Sequence, residues 1–144
     1  MTIFMMITIL TTQQAIATTT DEQIILDKIN AHRAAQGKPA LQMNTVISDT
    51  ARIHSRNMAD GKVPFGHDGV QQRINTITTK IGAVSSWGEN VAYHSQGYDK
   101  VIQGWLNSPG HRQNIEGNFN LTGVGVAFNK QGWIYVTQIF ILKK

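Results

Sequence analysis

Polar and apolar positions alternate along the chain with periods that change several times. In DEQIILDKINAHRAAQG, Asp21 to Gly37, the residues Ile25, Ile29 and His32 recur at helical spacing, with Leu26 and Arg33 beside them. This predicts a helix with Asp21 and Glu22 in its first turn and Gly37 as its stop. A second helix is expected from Asn44, as cap, to about Gly61. Its stripe is Ile47, Ala51, His54 and Met58. VPFGHDGV is broken by Pro64, Gly66 and Gly69 and reads as a loop, and QQRINTITTKI follows as a short helix carrying Ile74 and Ile77. The period then drops to two. WGENVAYHS is a strand with Trp87, Glu89, Val91 and Tyr93 on one face. YDKVIQGWLNS returns to helical spacing through Val101, Ile102, Trp105 and Leu106, and SPGHRQNI opens a new helical turn. There Ser108 is placed to cap, Pro109 suits the first position, and His111 falls near the N-terminal end.

Two strands close the chain. LTGVGVAF alternates small with bulky residues, as a strand closely overlain on one face would. NKQG makes a hairpin connection, and WIYVTQIFIL is apolar almost throughout, which predicts a central strand covered on both faces. The order of elements predicts an α+β fold, a small antiparallel sheet with helices packed on both sides.

Composition narrows the chemistry. The 144 residues fit one domain with one core. With no cysteine, disulfides, thiolate metal sites and thiol nucleophiles are excluded. The net charge of +4 comes from scattered basic residues, with a single run at Lys143-Lys144. That tolerates anionic surfaces but provides no basic stripe for nucleic acid. MTIFMMITIL is apolar and uncharged and is followed by a small-x-small site at Ala15-Ile16-Ala17, so residues 1–17 are expected to be a secretory signal peptide and 18–144 the mature domain. The apolar run is too short to span a bilayer. An extracellular or periplasmic monomer is expected.

INAHRAAQGKPAL, ARIHSRNMA, FGHDG, WGENVAYHS, GWLNSPGHRQNI and LTGVGVAF occur in the order found in the CAP superfamily of cysteine-rich secretory proteins, antigen 5 and pathogenesis-related class 1 proteins. The chain most resembles its cysteine-free bacterial branch of SCP-like extracellular proteins, over about Ile25 to Phe140. The resemblance implies a three-layer α-β-α sandwich with an open cleft. In eukaryotic members two histidines and two glutamates line that cleft, and divalent cations, often zinc, have been found there. Carried over, the set is His67, Glu89 and His111; Ser108 stands where the second glutamate would be. Two imidazoles and a carboxylate are a ligand set that zinc accepts. His111 at a helical N-terminus is expected to stay neutral.

Other residues have plainer expectations. His54 reads as a hydrogen-bonded core histidine, and His32 and His94 as structural or exposed. Asn90 is expected to fix backbone geometry, Asn114 to orient His111, and Trp87, Trp105 and Trp133 to form core and cleft wall. The resemblance implies a binding protein for a cell-envelope or host-facing ligand: lipid, sterol or peptide. The alternatives are a metal-assisted hydrolase of peptides or peptidoglycan, with Glu89 and His111 as its catalytic residues, and a structural adhesion module. No GxSxG elbow accompanies Ser108 or Ser95.

Overall fold

A computed structural model describes residues 10–144, with side chains from Thr20 onward. Of the expected leader, residues 1–9 lie outside the described residues and 10–17 are described only as helical backbone. The elements are α1 (Leu10–Ala35), β1 (Gln42–Met43), α2 (Thr45–Ala59), α3 (Val70–Ile81), β2 (Ser86–His94), α4 (Tyr98–Leu106), α5 (Pro109–Ile115), β3 (Leu121–Phe128) and β4 (Ile134–Leu142). They form the expected α+β sandwich. The sheet order is β1-β3-β4-β2. It is antiparallel except where two-residue β1 runs parallel to β3.

Each face of the sheet has its own core. Ile139 and Ile141 of β4 pack with Ile47 and Ala51 of α2 and Ile74 and Ile77 of α3. On the other face Val124, Val126, Val136 and Phe140 meet Ile25 and Ile29 of α1 and Val101 and Trp105 of α4. β4 is therefore covered on both sides, as its unbroken apolar run predicts. The small residues of β3 have an equally direct cause. A Cβ on Gly125 would lie 2.1 Å from the Arg52 backbone nitrogen, and one on Gly123 would lie 2.3 Å from the Ile47 carbonyl carbon. Alternate glycines let α2 rest directly on the strand.

Two expectations about helix ends need correction. α1 begins at Leu10, so Asp21 and Glu22 are not in a first turn. Glu22 instead turns inward, almost fully buried, and pairs bidentately with Arg52 at 2.8 and 2.6 Å. Ser108 holds the N-cap position of α5 but makes no cap hydrogen bond, because its hydroxyl is engaged by His111. Asn44 does cap α2, accepting from the Ile47 amide at 3.1 Å.

One buried cation locks the lower edge of the molecule. Arg33, 1% exposed, donates to the carbonyls of Pro39, Ile115, Gly117 and Phe119 at 2.9, 2.8, 2.8 and 3.4 Å. It ties the end of α1 to the connection between α5 and β3. That connection sets where α5, and with it His111, lies against β2.

Candidate functional site

The site is built around the edge strand β2. Glu89 sits in its middle and turns its side chain toward the layer of α2 and α3, 1% exposed. An isolated carboxylate there would not stay ionised. Its counter-charge is Arg73 of α3, whose side chain is 11% exposed and forms a two-pronged pair: Nε to Oε2 at 2.7 Å and Nη2 to Oε1 at 2.7 Å. The rest of the guanidinium is also used. Nη1 donates to the Asp68 carbonyl at 2.8 Å and meets His54 Nδ1 at 3.2 Å, while Nη2 reaches the His67 carbonyl at 3.3 Å. All five N–H donors of Arg73 thus have an acceptor.

These contacts assign protons. A guanidinium only donates, so His54 Nδ1 accepts and its proton is on Nε2, which donates to the Gly66 carbonyl at 2.8 Å. Burial pushes the His54 pKa below its ordinary value, and the positive charge of Arg73 acts in the same direction. His54 is the hydrogen-bonded core histidine expected, and it also fastens the FGHDG loop over α3. A carboxylate only accepts, so His67 Nδ1 donates to Glu89 Oε1 at 2.8 Å. The His67 ring is half exposed, and its Nε2 has no hydrogen-bond partner among the described residues.

His111 approaches from α5. Its Nδ1 lies 2.9 Å from Ser108 Oγ, a hydroxyl that can donate or accept. Its Nε2, too, has no partner among the described residues. Its pKa is lowered, first by burial and then by the nearby charge of His67. The direction agrees with the neutral ring expected from the sequence. Both residues are tied to β2, His67 through Glu89 and the His111 backbone through Asn90. Asn90 fixes backbone as expected, donating from Nδ2 to the His111 carbonyl at 3.0 Å. Asn114 acts through Asn90, donating to Oδ1 at 2.9 Å, and so reaches His111 at second hand.

The edge of β2 is sealed behind this arrangement. The indole of Trp105 donates to the Val91 carbonyl at 3.2 Å, and Asn114 reaches the Glu89 carbonyl at 3.4 Å. Both carbonyls are thereby withdrawn from pairing with another strand. Trp105 is core, as expected, whereas Trp133 is 38% exposed and stacks on Tyr93, itself met edge-on by Phe65. A pocket of about 290 Å³ opens between α2 and α3 against Arg73 and His54; it does not include His67, Glu89 or His111.

The carboxylate of the zinc set that the resemblance implies is already engaged. Both oxygens of Glu89 are committed to Arg73, and one also to His67. Among the described residues no group of three or more His, Asp or Glu is placed to hold a metal ion. Arg73, which decides this, was not among the residues singled out from the sequence. Its signal was its place on α3: one residue before core Ile74 and three after Val70, it lies beside the helix's buried stripe, where a charge needs a partner.

The profile of the CAP cysteine-rich secretory protein family matches residues 26–140. The chain belongs to the CAP family. It is 36% identical over 124 residues to the uncharacterized protein YkwD of Bacillus subtilis, covering 85% of this chain and 47% of that protein. It is 32% identical over 127 residues to the uncharacterized membrane protein YlbC of the same organism, covering 85% of this chain and 35% of that protein. This CAP chain therefore spans less than half the length of these curated relatives. Among solved structures, an extracellular protein containing an SCP domain from Bacillus anthracis matches with TM-score 0.73 and 32% identity, over 88% of this chain and 41% of that one. An outer surface protein of Borrelia burgdorferi shares the fold, with TM-score 0.75 and 18% identity over 88% and 96% of the two chains. No helix among the described residues is long and apolar enough to cross a membrane.

Proposed function

We propose that this chain is the ligand-binding CAP domain of an exported protein, and that the site beside β2 takes a peptide of the cell envelope through His67 and His111. The observation that supports this reading is that each imidazole is held at Nδ1, by Glu89 or Ser108, with Nε2 left for a ligand. Fixing one nitrogen orients the ring, so that binding costs little further ordering. Polar groups carry the arrangement, which favours an amide-bearing ligand over a lipid or sterol. Export rests on the expected leader and on the extracellular and surface character stated for the Bacillus anthracis and Borrelia burgdorferi proteins.

A hydrolase is the second reading, favoured by the His67–Glu89 pair, because an imidazole held by a carboxylate can accept a proton at its free nitrogen. The test is titration of the full chain with soluble peptidoglycan fragments, with His67→Gln and His111→Gln as comparators. Binding should weaken about tenfold in each variant, as for loss of one hydrogen bond to a buried polar partner. Unchanged binding in both would refute the site; fragment cleavage that is lost in both would favour the hydrolase.

A further inference from the structure

Arg73 already takes both oxygens of the carboxylate that the family resemblance would give to a metal. It meets both oxygens of a 1%-exposed carboxylate at 2.7 Å, and every other N–H it has is also satisfied. We infer that Arg73 is a built-in cation that replaces a divalent metal against Glu89, so that the His67–His111 site of this chain works metal-free. The inference stands apart from the identity of the ligand and survives if the peptide reading fails.

Three features carry it. First, the guanidinium cannot lose its proton, so its charge on Glu89 is permanent at any physiological pH. Second, it cannot swing aside cheaply. His54, the Asp68 carbonyl and the His67 carbonyl hold it from three directions, and two of these belong to the loop that bears His67. Third, the charge assignment is closed: one carboxylate, one guanidinium and imidazoles whose Nδ1 atoms are engaged. A dication placed on Glu89 would face the guanidinium at close range with no further carboxylate among the contacts that hold it. What Arg73 supplies in return is position. By fixing Glu89 it keeps a proton of His67 on Nδ1 and orients the ring, the role that a carboxylate partner has behind a metal-bound histidine.

Zinc alone is the probe. The full chain and Arg73→Met are each titrated with zinc by calorimetry and followed at the imidazole nitrogens by NMR. The expected result is at least tenfold tighter zinc binding in Arg73→Met, with His67 and His111 both shifted, and little response of either ring in the natural chain. Arg73→Lys, which keeps the charge, should remain as weak as the natural chain. Two outcomes overturn the inference: coordination of His67 and His111 in the natural chain as tight as in Arg73→Met, or a folded Arg73→Met with no gain. If Arg73→Met does not fold, the natural chain still decides: unmoved imidazoles support the inference, and coordinated ones overturn it.

Discussion

Removing the Glu89 charge should be costly, and removing Arg73 as well should cost clearly less than the two losses added together. In Glu89→Gln the guanidinium stays 11% exposed without its counter-charge; in Arg73→Met the carboxylate stays 1% exposed without its own. Breaking one side of a buried pair costs about 3–5 kcal/mol, because the surviving charge is left desolvated. At about 3 °C per kcal/mol for a domain of this size, each single variant should melt about 10–15 °C lower. The double variant removes both charges. Its cost should fall short of the sum of the singles by about 2–3 kcal/mol, within the range of coupling for residues in contact. Urea unfolding followed by the fluorescence of buried Trp105 measures all four corners of the cycle. Additive costs, to within about 0.5 kcal/mol, would refute the reasoning. So would singles costing under about 1 kcal/mol, the behaviour of a solvent-screened surface pair.

Two further variants probe the scaffold and its pH response. Arg33→Met leaves carbonyls of Pro39, Ile115 and Gly117 without their donor and should cost about 3–5 kcal/mol in urea unfolding; a cost under about 1 kcal/mol would mean that water replaces the guanidinium. His54 has a folded pKa below its ordinary value, so the unfolded chain binds the extra proton first; its contribution is present above about pH 6.5 and is lost as pH falls below that. His54→Gln, which keeps a donor for Gly66 and an acceptor for Arg73, should flatten the acid side of the stability curve, and an unaltered slope would refute this assignment.

Much of the fold is legible in the sequence because its signals are local. The apolar run of β4, the alternating glycines of β3 and the Asn44 cap each report a contact that only one backbone arrangement satisfies. The start of α1 is not legible, because Asp21 and Glu22 imitate a first turn whereas Glu22 is committed to Arg52, thirty residues away. The site was legible only in part. His67, Glu89 and His111 follow from the family motifs, but their chemistry depends on Arg73 and His54, which no short motif links to them. A side chain such as Ser108 can equally cap a helix or meet a histidine, and three-dimensional proximity chooses the second.

In the proposed site two imidazoles, each held at Nδ1, present Nε2 to a ligand. Nitrogen NMR of the full chain during titration with soluble peptidoglycan fragments tests it most directly. Nε2 of His67 and of His111 should shift together while the Nδ1 proton of His67 stays in place on Glu89. A free protein whose His67 carries its proton on Nε2, or fragments that bind without moving either ring, would contradict it.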